Sequence, residues 1–142
     1  MNKAYPNMNF VLLVEGRETA CKSVRAFEQE AEYDTIQEGG INDYVHIRLK
    51  PFSKPITFQM ERYRTANENG SEELLNVGTA LKQDMVLMVS SVQGDFKNPV
   101  AQFTFSGCIV TGKHYSELEA EKSGLLTETI TILCERLTVT GP

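Results

Sequence analysis

Along most of this chain apolar and polar residues alternate with period two, the pattern of half-buried strands rather than helices. Ile56, Phe58 and Met60 alternate with Thr57, Gln59 and Glu61, and Ala101, Phe103 and Phe105 alternate with Gln102, Thr104 and Ser106. Ile130, Ile132 and Cys134 stand opposite Thr127, Thr129, Thr131 and Glu135. Phe10 to Val14 is a continuous apolar run closed by Glu15-Gly16-Arg17, which predicts a strand buried on both faces and then a tight turn. Met85 to Val92 predicts another buried strand. From Cys21 onward Phe27, Ala31 and Tyr33 fall on one side and Glu28, Glu30, Glu32 and Asp34 on the other. A helix would scatter those carboxylates around its cylinder, so the pattern predicts one strand with an acidic face.

Glu38-Gly39-Gly40 opens and Pro51 closes a stretch over 38–50 that carries Ile41, Tyr44, Val45, Ile47 and Leu49 among polar residues, a long loop or hairpin-like excursion. The period changes only once. After the Asn67-Glu68-Asn69-Gly70 loop, Ser71 is a good N-cap, Glu72 and Glu73 suit a helix N-terminus, and Leu74, Val77, Gly78 and Leu81 recur at helical spacing. One α-helix at about 71–83 is predicted. Gly94-Asp95 with Asn98-Pro99 marks a connection, and His114 to Gly124 reads as a polar loop. No repeat or linker divides the chain. The expectation is a single domain over 1–142, mainly β, a β-sandwich or rolled barrel-like subunit with one short α-helix.

Several strands pair an apolar face with a face of Thr, Gln, Ser and Glu, so such a sheet has a core on one side and water on the other. Two readings fit: the surface sheet of a monomer, or the wall of a water-filled channel assembled from several subunits.

Composition narrows the function classes. With 142 residues, 41% hydrophobic and 23% charged, the chain can build a core without staples. No apolar stretch approaches the roughly 18–20 residues of a membrane-spanning helix. The Tyr5-Pro6-Asn7 region lacks the pattern of a secretory signal, so synthesis in the cytoplasm is expected. Fourteen Lys and Arg against nineteen Asp and Glu leave a net charge of -5, the wrong sign for gripping a phosphate backbone. Cys21, Cys108 and Cys134 are odd in number and far apart, which implies buried hydrophobes and no disulfide framework.

Catalytic signatures fail on inspection. Gly107-Cys108-Ile109-Val110-Thr111-Gly112-Lys113 has the spacing of a phosphate-binding loop, but His114 stands where Ser or Thr should reach a magnesium ion, and Ile109 and Val110 favour a strand. His46 and His114 lack ligands at metal spacing and read as surface residues in loops. Neither a nucleophile elbow nor a zinc-protease helix is present in the sequence. Glu28, Glu30, Glu32 and Asp34 read as a solvated face rather than a cation site. The chain is therefore expected to be no enzyme, with no catalytic, metal or cofactor-binding residue.

Order along the chain adds a resemblance. Tyr33, then Glu38-Gly39-Gly40-Ile41-Asn42-Asp43, then Pro55 to Glu61 closing on Arg62, resembles the tail tube proteins of contractile phage tails and related contractile injection systems. In that family a strand ending in Tyr, a Glu-Gly-Gly, a long loop and a strand closing with Arg occur in this order. Phe10 to Gly16 is similar to the family's first strand and turn. Phe103 to Val110, Tyr115, Leu118 and Glu128 to Ile132 are similar to its C-terminal part. The family often shows Lys-Arg-Gly where this chain has Glu61-Arg62-Tyr63, and a tryptophan that this chain lacks.

The resemblance implies six-membered rings stacked into a tube, with strands pairing edge to edge between subunits. It implies a surrounding sheath, baseplate and tail-terminator proteins, and a lumen passing a tape measure, DNA or protein cargo. Glu38, Gly39, Gly40, Ile41, Asn42, Asp43, Tyr44, His46 and Arg48 become candidates for the ring-stacking loop. Glu28, Glu30, Glu32, Thr57, Gln59, Glu61, Thr127, Thr129 and Thr131 become candidates for the lumen. A tube-initiator ring at the baseplate is the alternative within this class, and a monomeric β-domain with binding or enzymatic activity the alternative outside it.

Overall fold

A computed structural model describes residues 9–36, 44–64, 74–90, 99–120 and 126–141. Among these residues all regular structure is β: β1 (Asn9–Val14), β2 (Arg17–Thr19), β3 (Ser23–Val24), β4 (Ala31–Ile36), β5 (His46–Ser53), β6 (Ile56–Tyr63), β7 (Met85–Ser90), β8 (Ala101–Ser106), β9 (Ile109–Tyr115), β10 (Thr127–Cys134) and β11 (Arg136–Thr140). They form a five-stranded sheet in the order β11-β8-β7-β1-β2, a four-stranded sheet in the order β3-β6-β10-β9, and a two-stranded ribbon of β4 and β5. Every pairing is antiparallel.

The two larger sheets pack face to face because each strand sends its apolar parity inward. Leu12, Val14, Met85, Leu87, Phe105 and Leu137 from one sheet meet Ile56, Phe58, Met60, Val110, Ile130, Ile132 and Cys134 from the other, all buried. Each such side chain contributes about 1.5–3 kcal/mol by leaving water. Phe58 and Phe105 touch across the interface with centroids 4.9 Å apart, and Phe27 closes the cluster edge-on against Phe103 and Phe105 at 5.0 and 5.4 Å. β1 is less enclosed than predicted: outward-facing Val11 and Leu13 are half-buried, opposite Met88 and Val86.

Three further expectations are corrected. The helix over 71–83 is absent from its described part. Gly78 takes a φ of 88°, which ends any helical run, and the chain instead lies along the edge of β9. Gly78 N–H donates to Val110 O at 2.7 Å, Val110 N–H to Thr79 O at 2.9 Å, and Leu81 N–H to Cys108 O at 2.8 Å. These sheet-edge hydrogen bonds bury Leu75 and leave Val77 exposed, so tertiary pairing overrides the helical spacing. Ser71, Glu72 and Glu73 lie outside the described residues. The acidic strand from Cys21 is broken: only Ser23–Val24 and Ala31–Ile36 are strand, because residues 25–30 leave the sandwich so that Phe27 can cap the core. His114 lies in β9 and His46 in β5 rather than in loops, and both are exposed.

The chain crosses between the large sheets at two adjoining corners, Gly107-Cys108 from β8 to β9 and Glu135 from β10 to β11. Gly107 has a φ of 64°, and a Cβ there would stand 2.6 Å from the Glu135 carboxyl carbon. Gly78, also left-handed, has open space around it. Gly107→Ala and Gly78→Ala should therefore each cost about 1–3 kcal/mol in chemical denaturation, since both force Ala into left-handed backbone while the exposed Glu135 side chain can swing aside. No measurable loss at either glycine would refute this explanation.

Candidate assembly surfaces

The outward parity of the four-stranded sheet gathers most of the polar residues singled out from sequence. Register places Thr57 opposite Leu133, Gln59 opposite Thr131, Glu61 opposite Thr129, and Thr129 in turn opposite His114. Gln59 Nε2 donates to Thr131 Oγ1 at 3.1 Å. Arg25 Nη2 donates to Glu61 Oε1 at 2.9 Å, and this bond, helped by the nearby charges of Arg25 and Lys22, holds the Glu61 carboxyl below the usual carboxylate range against the cost of burial. Thr127, Thr129 and Thr131 share this face, Thr129 buried and the other two half-buried. The row of Glu28, Glu30 and Glu32 does not join it. Glu28 and Glu30 lie exposed in the connection before β4, and Glu32 is on β4 itself.

The edges of this sheet are unequal. β3 covers β6 only at Glu61 and Met60, with flanking bonds from Lys22 N–H to Glu61 O and Arg25 N–H to Gln59 O. Segment 78–81 covers the start of β9, and among the described residues no strand pairs with the outer edge of β9 beyond Ala80. Such an edge is a template for another strand.

The β4–β5 ribbon carries its apolar residues on the wrong side for a monomer. Tyr33 pairs with Leu49 and Thr35 with Ile47, which puts three large apolar side chains on one face with exposures of 61%, 68% and 70%. Tyr44 and Val45 extend the exposed apolar surface toward the tip. The opposite face pairs Asp34 with Arg48 in register, and Asp34 also lies 3.6 Å from both Arg48 and Lys50. Of the predicted stacking residues, Tyr44, His46 and Arg48 are exposed on or next to this ribbon. Glu38, Gly39, Gly40, Ile41, Asn42 and Asp43 lie outside the described residues. Tyr33, Ile47 and Leu49 were not among the predicted site residues, although their odd parity against charged Asp34 and Arg48 marks a two-faced ribbon.

A buried charge cluster went unnoticed in the sequence. Glu128 is completely buried at one end of the core, where Arg62 Nε donates to Oε1 at 3.1 Å and Arg62 Nη2 pairs with the same oxygen at 2.9 Å. Lys113 Nζ and Arg64 Nη1 approach its two oxygens at 3.7 Å. Parity was the available signal: Glu128 is in phase with Ile130, Ile132 and Cys134, and Arg62 with Ile56, Phe58 and Met60. These charges must face inward together. Three cations around one desolvated carboxylate fix how β6, β9 and β10 end.

No family model matches the sequence, and neither does any curated protein. Solved structures do match in fold. The PVC sheath/tube terminator of an extracellular contractile injection system in its extended state is 14% identical, with 99% of each chain covered and a TM-score of 0.79. The tube-terminating cap of the anti-feeding prophage is 11% identical, covering 100% of this chain and 94% of that one, with a TM-score of 0.75. The sheath-tube complex of the PVC system matches at 12% identity and a TM-score of 0.70, over 94% of this chain and 88% of that one. The fold is the tail-tube fold. Among the described residues of this chain, the polar sheet face, the β9 edge and the apolar ribbon are surfaces that the core leaves unused.

The Glu128 cluster supplies a test of how those surfaces are held. Glu128→Gln should lower unfolding free energy by about 3–5 kcal/mol, because it leaves Arg62 and Lys113 desolvated without their anion. Asp34→Asn, which removes exposed pairs, should cost under about 1 kcal/mol. Equal effects in urea denaturation would contradict the structural role given to Glu128.

Proposed function

We propose that this chain is a structural subunit of the inner tube of a contractile injection system or contractile phage tail, acting by assembly and not by catalysis. The observation that carries the reading is the four-stranded sheet. One face of it is committed to the core, and the other carries Thr57, Gln59, Glu61, Thr127, Thr129 and Thr131, with the Leu133–Ile109 pair at one end. Short polar side chains hold water and offer apolar cargo little to adhere to, as a channel wall requires. The tail-tube fold supports the same reading. Edge-to-edge pairing through β9 would join this sheet to the next copy and remove its open edge, and six copies would close the ring.

The ribbon then serves contact between subunits. Tyr33, Ile47 and Leu49 would be buried against a second copy, with Tyr44, His46, Arg48 and the 38–43 segment toward the neighbouring ring. Sheath, baseplate and terminator proteins are the further partners of such a tube, and its lumen would carry a tape measure, DNA or protein cargo. Since Glu28, Glu30 and Glu32 stand apart from the polar face, the lumen of this reading is neutral and hydroxyl-rich more than acidic.

A second position is favoured by a specific observation: the likeness to a sheath/tube terminator and to a tube-terminating cap covers nearly the whole chain. In that case the protein forms one ring at the end of a tube. The purified protein separates the two. A tube subunit should give rings that extend into tubes as concentration rises, whereas a terminator should stop at single rings, both read by sedimentation and negative-stain microscopy. Ile47→Asp with Leu49→Asp should reduce assembly at least tenfold while leaving the melting temperature of the monomer unchanged. A wild-type protein that stays at 15.9 kDa at high concentration, alone and with sheath protein, would refute the tube reading.

A further inference from the structure

Two of the three cysteines meet at the double corner between the sheets. Cys108 immediately precedes β9 and Cys134 ends β10, so continuing the register one position beyond the Leu133–Ile109 pair sets them opposite one another. Both are about 1% exposed, and their sulfurs lie 3.3 Å apart. Phe105 O also lies 3.3 Å from the Cys108 sulfur, so the single Cys108 thiol proton has two acceptors within reach, this carbonyl and the Cys134 sulfur. Directly opposed residues in antiparallel strands have Cα atoms about 4.5–5.5 Å apart, inside the span that a disulfide bridges. Joining the sulfurs needs them to close by about 1.2 Å through side-chain rotation. Cys21 stands apart from this pair and is half-buried.

We infer that Cys108 and Cys134 form a latent disulfide latch, reduced when the chain folds and closed by a small-molecule disulfide once the protein leaves a reducing environment. The bond would tie the β8–β9 corner to the β10–β11 corner and close a loop that includes the whole of β9 and β10. It would also fix Cys108, whose carbonyl accepts from Leu81, at the point where segment 78–81 docks. Nothing in this inference depends on the tube reading, since the latch lies within one subunit.

The chemistry is thiol–disulfide exchange. The thiolate of Cys108 attacks one sulfur of the reagent disulfide, breaks its S–S bond and expels one reagent thiolate. The thiolate of Cys134 then attacks the protein-bound sulfur of that mixed disulfide, forms the Cys108–Cys134 bond and expels the second reagent thiolate. The two protein thiols lose two electrons and two protons, and one reagent disulfide becomes two thiols. With Cys108 as the thiolate, the proton between the two sulfurs stays on Cys134, and that hydrogen bond holds the Cys108 thiol below its ordinary value against the opposing effects of burial and of the Asp84 and Glu135 charges. The same shared proton, with burial, pushes the Cys134 thiol up. The slow step is access, since both sulfurs are enclosed until the corner opens locally.

A Cys21→Ser variant leaves only the two thiols in question. Folded protein is incubated with 2-hydroxyethyl disulfide at room temperature and again a few degrees below its melting temperature, then alkylated in denaturant and digested without reductant. The expected result is loss of both free thiols, a linked peptide pair containing Cys108 and Cys134, and a rise in melting temperature of about 10 °C that a reductant reverses. The variant that also carries Cys108→Ala should show no such rise. Thiols that stay free under both conditions, a lasting mixed disulfide with the reagent, or a linked form that melts below the reduced one would each overturn the inference.

Discussion

Register between β6 and β10 is the constraint on which the other features depend. Eight consecutive residues of each strand pair without a shift, from Thr127 with Tyr63 to Cys134 with Ile56. Because side chains alternate with period two, a slip of one residue would turn Phe58, Met60, Ile130 and Ile132 to water and Gln59 and Thr131 to the core. The hydrophobic content of those four residues sets the register firmly. Everything outward follows: the hydroxyl-rich face, the Gln59–Thr131 hydrogen bond and the Arg25–Glu61 pair exist because the inward parity is taken. The same parity forces Arg62 and Glu128 inward, where they become each other's solvent. Both ends of the β6–β10 ladder therefore carry a particular polar device, the ion cluster at one and the cysteine pair at the other.

What the core leaves over determines what the molecule can do. A monomer would gain by burying Tyr33, Ile47 and Leu49, yet the ribbon presents them outward and keeps the Asp34, Arg48 and Lys50 charges on its other side. Two-stranded ribbons standing alone are marginal in water, so this one draws its shape from its ends and from whatever covers its apolar face. Among the described residues, the unpaired β9 edge and the exposed apolar ribbon are two incomplete surfaces of different kinds. One asks for backbone hydrogen bonds and the other for side-chain packing.

Strands with strict alternation were legible in the sequence because periodicity is a local property that packing reinforces. β6, β8 and β10 fall within a residue or two of the segments over 56–61, 100–106 and 126–135. The misreadings occur where a non-local partner competes. Leu74, Val77 and Leu81 have helical spacing, but the backbone of segment 78–81 finds its hydrogen bonds on β9, more than twenty-five residues later in the chain. The acidic alternation after Cys21 is real, yet the strand breaks because Phe27 has a better place over Phe103 and Phe105. Of the polar surface, six residues of the proposed channel face were readable from parity. The adjacency of Cys108 and Cys134 was not, since it depends on two sheet crossings that no local pattern encodes.

The claim most open to direct contradiction is that the outward face of the four-stranded sheet lines a channel. A cryo-electron microscopy reconstruction of the assembled protein measures this at once. The predicted result is a closed six-fold ring with β3, β6, β10 and β9 around the central hole and Thr57, Gln59 and Thr131 pointing into it. A ring in which that face is turned outward, or is buried against another subunit, would contradict the assignment.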